Sequence, residues 1–225
     1  MEKVITRLMN EMKNHAPFTI FGALSGIAII LIIIYGNFLP TISPISENIF
    51  YILHPTHVLF SALVTTTLFI RYGNKNILLI LLVGYTGSIG IATLSDSIIP
   101  FLGESLLGLP NTGIHIGFIE EPILTNPPAF IGIFIAYFKG ATKFPHAGHV
   151  LISTWASLFH IIMAIGTSVT SLQIVGIFIF LFLAVWIPCC TSDIAYPLLF
   201  PTKNNKKPNN NSKSFPSGKK NIFNS

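Results

Sequence analysis

The sequence predicts an all-α integral membrane protein with six transmembrane helices, built as two inverted three-helix repeats, both termini lying in the cytoplasm. Three observations lead there. The chain is too poor in charge to face water, its apolar runs are flanked by basic residues on one side only, and two polar motifs recur in order. Of 225 residues, 51% are hydrophobic and 9% charged, with a mean hydropathy of +0.69. Soluble domains carry about 25% charged residues, so lipid is the solvent this composition suits.

The elements follow in order. Residues 1–17, with Lys3, Arg7 and Lys13, form a cytoplasmic amino-terminal segment. The run 18–38 has the flanks of a signal peptide but is too long for one and lacks a small-x-small cleavage site, so it reads as the first crossing. Runs 48–70 and 77–95 complete a first repeat over 18–102, and 103–126 forms an extracytoplasmic loop. The second repeat, 127–200, contains runs 127–138, 146–166 and 172–191. Most reach the roughly 20 residues that about 30 Å of hydrocarbon demands. The fourth is short: after Pro127 and Pro128 it is either a half-helix or the end of a helix reaching back through the preceding segment. Residues 201–225 are rich in Asn, Lys and Ser, bury too little apolar surface to offset ordering entropy, and read as a disordered basic tail.

Orientation comes from lysine and arginine. With the amino terminus inside, segments 1–17, 71–76, 139–145 and 192–225 are cytoplasmic and hold all thirteen basic residues; the segments 39–47, 96–126 and 167–171 hold none. That is the positive-inside pattern, and it predicts a multi-pass cell-membrane protein. The pI near 9.3 comes from these helix-end and tail lysines, so it does not imply a nucleic-acid partner. A homo-oligomer or a larger membrane complex stays open.

Two blocks recur. His54-Pro-Thr-His57-Val-Leu-Phe-Ser61 matches His146-Ala-Gly-His149-Val-Leu-Ile-Ser153, and Ser95-Asp96-x-x-x-Pro100-x-Leu102 matches Ser192-Asp193-x-x-x-Pro197-x-Leu199. Each copy puts HxxH near the start of its middle helix and Ser-Asp at the end of its third. Three crossings is an odd number, so a second copy enters the membrane upside down, as in alternating-access transporters.

Residues three apart share a helix face, so each HxxH offers two imidazoles to one ion, and an aspartate from the neighbouring helix completes a nitrogen/oxygen set suited to zinc, iron, manganese or nickel. The expected outer cluster is His54, His57 and Asp96; the expected inner cluster is His146, His149 and Asp193. They form two separate sites or one central site, depending on helix depth. His57, Ser61 and Thr65 run at intervals of four down one helix, while His149, Ser153 and His160 share a face of another, with His160 near mid-bilayer. His160 read alone is a hydrogen-bonded packing residue. Each Ser-Asp either meets a cation or caps a following helix, with the proline in its first turn. The loop carries Glu104, His115, Glu120 and Glu121, read either as an ordinary solvated loop or as a cation collector in which His115, Glu120 and Glu121 hold a separate metal. Cys189 and Cys190 align with Ala92 and Thr93 and read as small apolar filler, or as a thiolate beside the inner cluster if it takes a soft metal.

The chain has no Walker-type loop and no GxSxG motif. The function this pattern predicts is secondary transport of a divalent metal cation. A membrane metalloenzyme or haem protein acting on a lipid or redox carrier is the alternative, and a structural subunit of a complex a third.

Overall fold

Runs of Ile, Leu, Phe, Ala and Val with few breakers leave this chain one way to satisfy its backbone away from water, the helix. In a computed structural model, residues 2–139, 143–198 and 200 are described. Side chains are described for Met9, Met12, Lys13, 16–139, 148–189, Tyr196 and Phe200. No strand occurs among the described residues. The elements are α1 (Glu2–Tyr35), α2 (Leu39–Ile42), a 3₁₀ turn (Ser43–Ile45), α3 (Ser46–Arg71) and α4 (Ile77–Thr93). Next come a π-helical turn (Leu94–Ile98), α5 (Ile99–Leu106), α6 (Gly117–Glu120), α7 (Pro122–Lys139), α8 (Lys143–Ala164) and α9 (Ser171–Leu198).

Several boundaries differ from the sequence expectation. Helix α1 starts at Glu2, so most of the expected amino-terminal segment 1–17 is already helical and Pro17 lies inside the helix. The short fourth run begins five residues before its prolines, at Pro122; it is a helix reaching back, not a half-helix. The third run does not stop at Asp96. It passes through the π turn and continues to Leu106. Proline 100 has no N–H to offer the carbonyl of residue 96, and a wider turn accommodates that gap.

Four described stretches are long and apolar enough to cross a membrane: Ala16–Tyr35, Leu39–Arg71, Ile77–Leu106 and Ser171–Cys189. Gly148–Ala164 is apolar but shorter. Helix α7 is diluted by Thr125, Asn126, two prolines and Lys139.

The distribution of polarity is inverted relative to a water-soluble domain. Phe21, Ile32, Leu78, Phe134 and Leu172 are exposed, whereas His54, His57, Asp96, Glu104, His149, Ser153, Ser157 and His160 are buried. Helices α3 and α8 lie side by side at the centre. Helix α1 packs on α8 and α9, and α7 packs on α3 and α4. Two apolar clusters follow from this. One joins Ala23, Ile30, Leu158, Ile162, Ile177 and Leu181 of α1, α8 and α9; the other joins Ala62, Phe69, Ile80, Val83 and Ile133 of α3, α4 and α7. Close approach is achieved with small residues: a Cβ on Gly132 of α7 would stand 2.3 Å from the Leu59 carbonyl oxygen of α3. The polar side chains collect on the seam between the two clusters.

Candidate metal centre on the α3–α8 seam

His54 and His57 sit about one turn apart on α3 with Pro55 between them. Across from them the π turn presents Asp96, which is fully buried. One carboxylate oxygen, Oδ2, meets both imidazoles: His54 Nδ1 at 2.9 Å and His57 Nδ1 at 2.8 Å. The other oxygen accepts from the Ser95 hydroxyl at 2.7 Å and the Ser153 hydroxyl of α8 at 2.8 Å. The Ser157 hydroxyl, also on α8, bonds to the Ser95 carbonyl at 3.0 Å. The π turn is thereby tied to both central helices.

A carboxylate can only accept, so with Asp96 ionised each imidazole offers it Nδ1–H and keeps its lone pair on Nε2. The Nε2 atoms of His54 and His57 are buried and have no hydrogen-bond partner among the described residues. Second-sphere carboxylates hold metal-binding histidines in the same way. Two neutral imidazoles on one carboxylate leave a buried charge of −1, and a low-dielectric interior tolerates this only with a compensating cation. A proton on an imidazole supplies it, or a metal bound through Nε2.

The two histidines face different neighbours. The His57 ring stacks on His149 of α8, with centroids 5.4 Å apart and planes at 17°. Ligand atoms of His57, His149 and Cys189 all lie within 4.8 Å of one another, and all three residues are buried. A tetrahedral zinc-type site brings its ligand atoms to about 3.5 Å, so side-chain shifts of about 1 Å would close this trio around an ion. His54 instead faces α6: a Cβ on Gly117 would stand 2.8 Å from His54 Nε2 and 3.1 Å from the Thr125 hydroxyl.

Polar and aromatic side chains continue from this centre in both directions. Toward the α5–α6 end, Phe50 stacks on His54 at 5.2 Å and meets His160 edge-on at 5.4 Å. His160 Nδ1 pairs with Glu104 Oε1 at 2.6 Å, both side chains being buried. His115 lies 5.4 Å from the His160 ring and pairs with Glu120 at 3.3 Å near the surface. Tyr51 also donates to Glu120. Burial pushes the Glu120 carboxyl up, but the bonds from Tyr51, the Ile116 backbone and His115 outweigh it and hold the group below its ordinary value. Toward the other end of α3, the buried Ser61 and Thr65 hydroxyls have no partner among the described residues.

The expected outer trio, His54, His57 and Asp96, is therefore assembled, with Asp96 orienting the two rings through their Nδ1 atoms. The helix-capping reading of Ser95-Asp96 is not what is found, since α5 follows Ile98 with no side-chain cap. His149 does not stand at an opposite face: it stacks on His57, so members of the two expected clusters meet in one place. The side chains of His146, Asp193 and Cys190, and the tail 201–225, lie outside the described residues. Glu120 joins His115 without Glu121, which stands exposed on the surface. Glu104 is not a solvated loop residue but the buried partner of His160. Sequence reasoning did not foresee that pair, nor the bonds of Ser95 and Ser153 to Asp96, and it offered Cys189 beside His149 only as the alternative to apolar filler. A helix continued through Pro100 would have placed Glu104 about two turns beyond Asp96 on the same element, and Ser153 was visible as the counterpart of Ser61 in the repeated block.

No family model matches this chain, and neither the curated proteins nor the solved structures include one similar to it.

Proposed function

We propose that this protein is a multi-pass membrane carrier for a borderline-to-soft divalent cation of the zinc type, held during passage by His57, His149 and Cys189. One observation carries the reading. Two imidazoles and a thiol from three helices converge within 4.8 Å in a fully buried position, beside a carboxylate that orients one of those rings. Thiolate with imidazole selects zinc or copper over manganese, which narrows the ion expected from histidine and aspartate alone. The Ser61 and Thr65 hydroxyls continue the polar seam on α3 and supply oxygen contacts for a departing ion.

The transport reading rests on the division into halves. The repeated HxxH and Ser-Asp blocks, and the exchange of first helices (α1 on α8 and α9, α7 on α3 and α4), support two inverted three-helix units. The one-sided lysines support six crossings with both termini in the cytoplasm of a cell membrane. Each apolar cluster joins the first helix of one unit to the second and third of the other, so the bodies that would move along the polar seam are α1 with α8 and α9, and α7 with α3 and α4.

Purified protein titrated with Co²⁺ tests the centre. A thiolate-to-cobalt charge-transfer band with tetrahedral ligand-field bands is expected. The charge-transfer band should vanish in Cys189→Ser, and affinity should collapse in His149→Ala and His57→Ala. Proteoliposomes loaded with a zinc-sensitive dye should then show uptake that the same variants lose. Absence of cobalt binding by the wild type sinks the metal reading; binding without uptake sinks the carrier and leaves a resident site.

A further inference from the structure

The Glu104–His160 pair takes no part in the metal trio, and its surroundings are those of a proton site. Both side chains are buried, and Oε1 and Nδ1 engage each other at 2.6 Å. The two other ligating atoms, Glu104 Oε2 and His160 Nε2, have no hydrogen-bond partner among the described residues. With the imidazole neutral and the carboxylate ionised the pair carries −1, and one proton added to Nε2 or Oε2 makes it neutral. Among the described residues these two ligating groups have no third within coordination reach, a set suited to holding a proton.

The site has an entrance. His115 lies 5.4 Å from the His160 ring and reaches the surface through Glu120. On the inner side Phe50 alone stands between His160 and His54, touching both rings. The titratable groups facing the pair are thus His115 from the α5–α6 connection and, beyond Phe50, His54 with Asp96. Helix α9, packed against α5 and α8, carries no acid, base or histidine from Ser171 to Cys189, and neither does α1 from Ala16 to Tyr35.

We propose that Glu104 and His160 bind a proton that is released through His115 and Glu120, and that metal moves through the α3–α8 seam in exchange for it. This rests on the carrier reading above. Proton and metal compete through charge: an arriving divalent ion is favoured by the deprotonated pair, so loading the metal expels the proton toward His115. No redox partner or co-reactant is needed: when the seam is open to the opposite face the pair takes up one proton from that side, and the metal loaded past α6 expels it through His115, so proton and metal cross in opposite directions.

The test uses full-length protein in liposomes of neutral lipid containing a pH-sensitive dye, with Zn²⁺ as the transported ion. Zinc added outside should drive protons out of the protein-containing vesicles, and an imposed pH gradient should drive zinc flux. In Glu104→Gln both couplings should fall roughly 100-fold, the scale of a positioned proton-transfer group, while the Co²⁺ spectrum stays as in wild type and the affinity becomes that of the wild type with the pair protonated. His115→Gln should slow proton movement without changing the cobalt spectrum. Where Glu104→Gln misfolds, infrared difference spectra of the wild type between low and high pH, with Glu104→Asp as reference, read the site directly. A protonated-carboxyl band that shifts in the Asp variant supports the assignment. Zinc flux indifferent to the pH gradient, unchanged coupling in Glu104→Gln, or an unshifted band overturns it. Failure of the wild type to bind cobalt removes the exchange, while the infrared band still tests the proton site by itself.

Discussion

Replacing Asp96 by asparagine separates a group that orients the histidines from one that touches the ion. Asparagine keeps the shape but loses the charge, and it can sit in two ways. With its amide nitrogen toward α3, it donates to both Nδ1 atoms, forces the hydrogens onto Nε2, and removes the lone pairs of His54 and His57. With its oxygen toward α3, the tautomers survive, but the bonds at 2.9 and 2.8 Å lose their charge assistance, which roughly halves their strength. Losing a second-sphere carboxylate typically costs 10- to 100-fold in metal affinity, about 1.4–2.7 kcal/mol. Calorimetric Co²⁺ titration of Asp96→Asn should fall in that interval, with the thiolate charge-transfer band retained, because Cys189 and His149 are untouched. An affinity within about twofold of wild type would show that Asp96 does not tune the rings. A band lost as completely as in Cys189→Ser would show that it ligates the ion itself. Either result refutes the assigned role.

Three further outcomes follow from the packing. Gly117→Val puts carbon where the His54 ring lies, 2.6 Å from Cδ2; overpacking of this kind costs about 1–3 kcal/mol, so α6 should lift and hydrogen exchange across 109–121 should accelerate. Unchanged exchange would mean that His54 yields instead. Gly132→Val sets a Cβ 2.3 Å from the Leu59 carbonyl, a backbone contact that cannot rotate away, and should lower the detergent-solubilised melting temperature more than Gly90→Val, whose Cβ meets nothing within 4 Å. Finally, the Glu120 carboxyl titrates below its ordinary value. Its contribution to holding the α5–α6 connection is therefore fully present above the ordinary glutamate value and is lost as pH falls through the depressed one. Hydrogen exchange in 109–121 should rise over that acidic window, and in Glu120→Gln it should be fast at every pH.

The membrane character and the His54–His57–Asp96 cluster were legible because each rests on a local pattern. Apolar runs interrupted by lysine need no tertiary knowledge, and a three-residue histidine spacing defines a face whatever packs on it. The position of His149 was not legible. Its depth relative to His57 depends on how far α3 and α8 slide past each other, which their own sequences leave free; packing sets it. Glu104 was lost for another reason. Proline at 100 normally ends a helix, and the chain crosses it here by widening one turn, a tertiary solution driven by Asp96 meeting two imidazoles and two hydroxyls. Cys189 aligned with Ala92 in the repeat, and that very correspondence made it look like filler. It lies instead within 4.8 Å of His57 and His149, and under the repeat proposed above it marks where the two copies differ.

That asymmetry bears on direction. On one side of the seam His57 is fixed by Asp96 and contributes a ring whose tautomer is set; on the other, His149 and Cys189 add a softer, more polarisable pair. His54, held by the same carboxylate, opens toward Gly117 and Thr125, where hard oxygen and nitrogen atoms offer weaker coordination. An ion entering past α6 would therefore meet His54 first and gain affinity on reaching the thiolate. It would leave only when that gain is offset, and a proton returning to the Glu104–His160 pair, one aromatic ring from His54, is placed to offset it.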